Sequence, residues 1–158
     1  MHNIEIGRGS AWDRVQIERF LATSVTPIRL ALEGSTGKLM IVALWFEADA
    51  GALWCASHRT SALVRSLAQP MQCAFDISTN DMPYRGVRGR ASVHARPERG
   101  AATLNRLIQR YLGNDTSRLA RWLLSRSADE VALEVRPSWM TAWDFGARMD
   151  DIPSRQPS

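Results

Sequence analysis

Polar and apolar residues alternate along two neighbouring segments in the middle of the chain. In 71–77 the apolar positions are Met71, Cys73, Phe75 and Ile77. In 87–95 one face is formed by Val87, Gly89, Ala91 and Val93, and the other by Arg88, Arg90, Ser92 and His94. A period of two is typical of strands with one face in a core. The pattern therefore predicts two half-buried strands here, and strands are also predicted over 27–33, 131–135 and 139–145.

Two other segments are apolar at almost every position. They are 39–46, which reads LMIVALWF, and 52–57, which reads ALWCAS. A short continuous apolar run indicates a strand that is buried on both faces. Glycine-containing turns are predicted over 34–38 and 47–51, immediately before each run.

Helical signals separate some of these strands. A first helix is predicted over 11–22, because Ser10 and Asp13 resemble a capping box at its start. A second is predicted over 61–69, where Pro70 ends it. The strongest apolar stripe is formed by Leu104, Leu107, Ile108, Tyr111 and Leu112, with Gly113 as the stop. A further short helix contains Leu119, Trp122 and Leu123.

The order of these elements favours a mostly β fold, a small antiparallel barrel with peripheral helices. Short turns join the early strands, and such turns connect antiparallel neighbours. A doubly wound parallel sheet fits less well, because too few helices separate consecutive strands. We expect one domain over 1–149. The segment 150–158 is polar and contains two prolines, and we expect it to be a flexible tail.

Composition indicates a globular chain without a membrane segment. The chain has 158 residues, of which 45% are hydrophobic. No apolar run approaches the roughly 18 residues that a membrane span needs. The first ten residues lack the apolar core of a signal peptide. We therefore expect a cytoplasmic protein that does not bind a membrane.

The net charge is +4, and arginine carries it, because Lys38 is the only lysine. The basic residues are spread along the chain, whereas nucleic-acid binding proteins concentrate them on one face. We therefore expect no nucleic-acid partner. A small anionic ligand would explain the excess of arginine equally well. Cys55 and Cys73 lie inside apolar runs and are predicted to be buried thiols. No metal site is expected, because neither they nor His58 have partners at ligand spacing.

The segment 54–67, WCASHRTSALVRSL, passes from a predicted strand to a predicted helix. Small hydroxyl residues and arginines at such a junction suit a phosphate group, which backbone N–H groups at a helix start also attract. The candidate phosphate ligands are Ser57, Arg59, Ser61 and Arg65. The alternative is an ordinary polar turn in which Ser61 caps the helix.

The order of elements over 27–93 resembles the pyridoxamine 5′-phosphate oxidase-like family of FMN-binding split barrels. Residues at the positions of the family's phosphate-binding motif are Ser57, Arg59, Ser61, Arg65 and Leu67, and Gly89, Arg90 and Ala91 match a glycine-containing strand. The chain departs from the family at two positions. Leu63 stands where a phosphate-binding lysine is usual, and Ser66 stands in place of an asparagine.

The resemblance implies a split β-barrel that forms a homodimer with FMN in clefts between the subunits. It places the flavin ring along Ile41, Val42 and Ala43. Arg85 and Arg88 join Arg59 and Arg65 as arginines that could replace the missing lysine. Arg85 could instead reach over the cleft towards the phosphate site of the other subunit. Trp139 and Trp143 are predicted to share a face, either near the ring or in the dimer interface.

The function expected from this resemblance is that of a flavin-dependent oxidoreductase acting on an unknown small substrate. The alternative is a non-enzymatic protein that binds flavin, deazaflavin or haem, since family members use each of these. We identify no catalytic side chain from the sequence, because no nucleophile–base pair or paired carboxylates stand out.

Overall fold

The computed structural model describes residues 4–34 and 36–149. Its strands are β1 (Glu5–Ile6), β2 (Ile28–Glu33), β3 (Leu39–Leu44), β4 (Glu47–Asp49), β5 (Ala52–His58), β6 (Met71–Ser78), β7 (Arg85–Arg96) and β8 (Glu130–Asp144). Its helices are α1 (Arg14–Thr23), α2 (Ala62–Ser66), α3 (Gly100–Leu112), α4 (Arg118–Leu124) and α5 (Gly146–Met149). The predicted tail, 150–158, lies outside the described residues. No helix in the described ranges is long and apolar enough to cross a membrane.

The strands form one curved, mostly antiparallel sheet in the order β3-β2-β6-β7-β8-β5-β4, and β1 pairs with β8 in parallel. The two ends of this order, β3 and β4, are consecutive in the chain, with only Trp45 and Phe46 between them. The sheet must therefore curl until its ends meet, as in a barrel. This confirms the predicted class, an antiparallel barrel with peripheral helices.

One apolar core fills the inside of the curved sheet. The alternation predicted for β6 and β7 is confirmed, because Phe75, Ile77, Val87 and Val93 are all buried in that core. Leu63 of α2 and Leu67, which follows the helix, pack into the same core. Cys55 and Cys73 are buried there as predicted. Burial raises the pKa of the Cys73 thiol to about 11, so both cysteines serve as packing groups.

The prediction that residues 39–46 are buried on both faces is wrong. In β3 the exposed and partly buried residues alternate, and Leu39 and Ile41 are 86% and 76% exposed. The physical reason is the sheet order, which makes β3 an edge strand whose outer face no described residue covers. The predicted turn over 47–51 is also partly wrong, because β4 occupies its first three residues and pairs with β5.

The last two predicted strands are one strand, β8, which continues past Pro137. Proline cannot donate to a sheet ladder, so within sheets it is confined to edges and bulges. The pairing of β7 with β8 shifts here, since Arg90 faces Trp139 while Ala91 faces Pro137. The bulge accommodates the proline, and Ser138 Oγ donates to the Arg90 carbonyl across it at 3.2 Å.

Helix α1 begins three residues later than the predicted capping box would place it. Asp13 is the N-cap, and its carboxylate and the Gln16 side chain form the reciprocal capping box. Ser10 has a different role, because its hydroxyl accepts from the Ala142 N–H at 2.9 Å and ties the segment before α1 to β8. Gly113 ends α3 with a φ of 72°, as its position after the apolar stripe predicts.

Candidate functional site

The strand-to-helix junction between β5 and α2 satisfies most of its own hydrogen-bonding groups. The Ser57 hydroxyl donates to Ser61 Oγ at 2.9 Å. Ser61 Oγ in turn accepts from the Val64 N–H at 3.1 Å and so caps α2. The alternative in which Ser61 is a helix cap is therefore correct. The predicted phosphate ligands Ser57 and Ser61 are adjacent, as expected, but their hydroxyls already bond each other.

Arg59 is held by a carboxylate of the same chain. Its Nε lies 2.9 Å from Asp129 Oδ1, and its backbone N–H donates to the Asp129 carbonyl. His58 Nδ1 contacts the Thr60 hydroxyl at 2.9 Å, and His58 Nε2 lies 3.8 Å from Asp129 Oδ2. These contacts tie the junction to the residues before β8. Arg59 is consequently engaged in an ion pair, although most of its side chain is exposed.

Arg65 lies apart from this network, in a groove that we call the basic groove. The groove has a volume of about 350 Å³ and is lined by Gly34, Thr36, Lys38, Leu39, Met40, Ala62, Arg65 and Ser66. Lys38 and Arg65 are both exposed and supply its two positive charges. The expected lysine position, Leu63, is only 2% exposed and points into the core. Sequence reasoning missed Lys38, although its being the only lysine was a signal.

Strand β3 leads from the basic groove along the free edge of the sheet. It pairs with β2 through all six of its residues, and on its other side the described residues provide no paired strand. Every second residue of an antiparallel edge strand directs its N–H and C=O away from its neighbour. The predicted flavin-contact residues thus lie on an accessible edge. The Ile41 and Ala43 side chains are on the exposed face, whereas Val42 packs against the core.

A second groove, the outer-face groove, has a volume of about 540 Å³ and contains Arg88. Its remaining lining residues are Arg29, Ala31, Ile41, Ala74, Phe75, Asp76, Gly89, Arg90 and Trp139. Arg29 forms an ion pair with Asp76 at 3.5 Å, and the Arg90 guanidinium lies 5.1 Å from the centre of the Trp139 ring. Arg88 therefore shares a groove with Ile41, but that groove is not the one that contains Arg65.

Arg85 is separated from the other predicted ligands. It lines a small groove of about 240 Å³ together with Trp12, Arg19 and Asp144. In the last strand, Met140 and Ala142 are buried, so the alternate residues Trp139 and Trp143 share the opposite face, as predicted. Trp143 contacts Phe145, with ring centres 5.1 Å apart.

A fourth cavity, the Glu130 pocket, lies at the Ala43 end of β3. It has a volume of about 300 Å³ and is lined by Pro27, Ala43, Leu44, Trp45, Ala56, Leu104, Leu107, Leu119, Leu123 and Glu130. Burial raises the pKa of Glu130, whereas Arg126 and His58 partly oppose the shift. Glu130 could not be selected from the sequence, because an acidic residue before an apolar strand ordinarily lies at a solvated strand end.

No protein-family model and no curated protein sequence matches this chain. Solved structures do resemble it. A conserved hypothetical protein from Mycobacterium tuberculosis has a TM-score of 0.71 and 19% identity over 98% of this chain and 97% of that one. An F420 reductase has a TM-score of 0.63 and 26% identity, over 77% of this chain and 93% of its own.

An FAD and haem binding protein from Mycobacterium smegmatis has a TM-score of 0.63 and 16% identity, over 82% of this chain and 70% of that one. These similarities, together with the sheet order, identify the fold as a split β-barrel. Proteins with this fold that resemble the chain thus include ones named for flavin or haem binding.

Proposed function

We propose that this chain binds a phosphate-bearing flavin, FMN in the first instance, along the free edge of β3. We propose further that it acts as a flavin-dependent oxidoreductase on a small substrate. One observation carries the proposal: in the described residues one edge of β3 pairs with no strand and its outer face is exposed, and the basic groove lies at its Leu39 end and the Glu130 pocket at its Ala43 end. Four residues of strand span about 13 Å, which suits a ligand with an anionic tail and a flat ring.

The residues present fit such a cofactor. Lys38 and Arg65 are exposed cations in one groove, and charge-assisted hydrogen bonds from them would hold the phosphate. The free backbone groups of Ile41–Ala43 can pair with the polar edge of a flavin ring, while their side chains are apolar. The bound flavin would supply the electron-transfer chemistry, and the protein would orient the ring and exclude water from it.

A homodimer is part of this proposal. Leu39 and Ile41 expose large apolar side chains next to the outer-face groove, and contiguous exposed apolar surface marks interaction sites. A second copy of the chain would cover β3 and enclose a cofactor there. The prediction that Arg85 reaches the partner's site stays a prediction, since Arg85 lies away from β3 in its own chain.

The test compares FMN with riboflavin, which has the same ring without the phosphate. Both are titrated into wild-type protein, Lys38→Gln and Arg65→Gln, and binding is followed by flavin fluorescence. Each substitution should weaken FMN binding about tenfold, the effect of losing one hydrogen bond to a charged group, and leave riboflavin binding unchanged. Arg118→Gln, which removes an exposed arginine from α4, is the matched control.

Two outcomes would refute the cofactor proposal. The first is an absence of FMN binding by wild-type protein. The second is equal affinity for FMN and riboflavin, which would mean that the basic groove does not contact the phosphate.

The second candidate function is non-enzymatic binding of flavin, deazaflavin or haem. It is favoured by the junction, where Ser57, Ser61 and Arg59 already have partners within the chain. Only Lys38 and Arg65 then remain for a phosphate, and the cofactor would be held loosely. Turnover of a nicotinamide donor by the flavin-loaded protein, with an electron acceptor present, would distinguish an enzyme from a binding protein.

A further inference from the structure

The Glu130 pocket combines apolar walls with a single carboxyl group. Its other nine lining residues come from the ends of β3 and β5, from α3 and α4, and from Pro27 and Trp45, and all have hydrophobic side chains. Its volume of about 300 Å³ is at the lower end for small-molecule sites. A cavity of this kind offers burial of a ring and one polar contact, which fixes the ring's orientation.

Glu130 has no partner of its own in the described ranges. The residue is 8% exposed, and neither a hydrogen bond nor an ion pair to its carboxyl group is found there. The charged groups nearest to it are Arg126, His58 and Asp129. Its carboxyl oxygens are not among the fully buried unpartnered side-chain atoms of the described residues, so they remain accessible and can accept a hydrogen bond from a ligand in the pocket.

Each of those three neighbours is engaged with another side chain. Arg126 lies over the Trp122 ring, 4.6 Å from its centre. His58 contacts the Thr60 hydroxyl, and Asp129 pairs with Arg59. The donor that Glu130 lacks is therefore not supplied by the charged groups around it.

The backbone fixes the position of Glu130. It pairs with His58 across the ladder between β5 and β8. On its other side, Gly100 of α3 lies so close that a Cβ added there would collide with the Glu130 carbonyl group. Because the strand is held from both sides, the backbone keeps Glu130 at the pocket.

We propose that the Glu130 pocket binds a small apolar ring compound that carries one N–H donor, and that Glu130 accepts this hydrogen bond. A hydrogen bond to a buried carboxylate recovers part of its desolvation cost, so the donor is selected strongly. A site built to bond such a donor rejects an analogue that lacks it. This inference goes beyond the cofactor proposal, because it assigns the Glu130 pocket, which lies at the ring end of the proposed cofactor site, a ligand of its own that is tested without flavin.

The experiment uses indole and 1-methylindole, two rings that differ in the presence of the N–H donor. Both are titrated by calorimetry into the full chain without added cofactor, so the result is independent of flavin binding. Indole should bind wild-type protein about tenfold more tightly than 1-methylindole. Glu130→Met should abolish that difference while 1-methylindole binding persists. Glu98→Met, which removes an exposed glutamate, should preserve the difference.

The proposal is overturned if wild-type protein binds neither ring, if it binds both equally, or if Glu130→Met keeps the preference for indole. Circular dichroism establishes whether each variant is folded. Should Glu130→Met fail to fold, Glu130→Gln takes its place. The preference for indole must then decrease, because the acceptor keeps its shape and loses its charge.

Discussion

At the scale of single residues, phosphate binding depends on where a cationic side chain lies in the folded chain more than on whether it occupies the family's motif position. The resemblance puts a lysine at Leu63, but that side chain is in the core, and the groove cations are Lys38 and Arg65. Leu63→Lys should therefore leave FMN affinity no higher and should lower the free energy of unfolding by about 3 kcal/mol or more, because it buries an unpaired charge. Urea denaturation and FMN titration measure the two effects.

Leu63→Met is the control for this substitution. It conserves volume and should cost less than about 1.5 kcal/mol. A Leu63→Lys variant that binds FMN more tightly than wild-type protein would show that the side chain at 63 reaches the phosphate.

Glu130 and Glu134 are both buried on β8, but the pKa values of their carboxyl groups are shifted in opposite directions. Burial raises the pKa of Glu130, which has no partner. Burial also acts on Glu134, but hydrogen bonds from Arg136 and Arg96, at 2.8 and 2.9 Å, lower the pKa of its carboxyl group overall. The ionised form is thus disfavoured at one position and favoured at the other, four residues away.

The opposite shifts predict opposite pH dependences. Because the pKa of Glu130 is raised in the folded state, the fold loses stability as pH rises through and above the pH range in which glutamate usually titrates. Glu130→Gln should therefore stabilise the protein at about pH 7.5 and have little effect on stability at about pH 4. A lowered pKa means stability that is present above that range and lost on acidification, so Glu134→Gln should be destabilising at about pH 7.5 and less so at about pH 4. Thermal melts of both variants against wild type measure this, and parallel pH profiles would contradict it.

At the scale of elements, the contact between α3 and β8 shows how tertiary packing overrides helix propensity. Alanine in place of glycine ordinarily stabilises a helix by up to about 1 kcal/mol. At Gly100, however, a Cβ would collide with the Glu130 carbonyl, which is backbone and cannot turn aside. Gly100→Ala should therefore lower the unfolding temperature. Gly9→Ala, where a Cβ meets nothing within 4 Å, should leave it unchanged or raise it.

The packing of each element explains whether it could be predicted from the sequence. Strands β6 and β7 were predictable, because each has one face in the core of its own chain and alternates accordingly. For β3 the sequence is apolar on both faces, and nothing in it distinguishes burial by the same chain from a surface that a ligand or a second copy would cover. Strand β8 was predicted as two strands on either side of Pro137. The bulge that accommodates this proline depends on the register with β7, which a local pattern does not show.

The candidate site could be predicted only in part, because some of its residues come together through contacts between distant segments. Arg65 was selected from local pattern and the residues of β3 from the family resemblance, and the structure puts them on adjoining surfaces. Lys38 enters the groove only because the turn between β2 and β3 folds towards α2, and Glu130 enters its pocket only because α3 and α4 cover the end of β5. Contacts between segments far apart in the chain leave no mark in a local pattern.

At the scale of the whole molecule, the exposed face of β3 is the feature that a single chain does not explain. A lysine in place of Ile41, which is 76% exposed, should cause little loss of monomer stability. It would put a charge into the proposed interface, where an unpaired buried charge is strongly unfavourable. Ile41→Lys should therefore convert a dimer into a monomer.

Sedimentation equilibrium of the wild-type protein and the variant measures the change directly. Val15→Lys, at a position 62% exposed on α1, is the control and should stay dimeric. If Ile41→Lys remains a dimer, the interface lies elsewhere on the barrel. If the wild-type protein is itself monomeric, the apolar face of β3 must be covered by something other than a second copy, and a ring-bearing ligand would have to be bound by one chain alone.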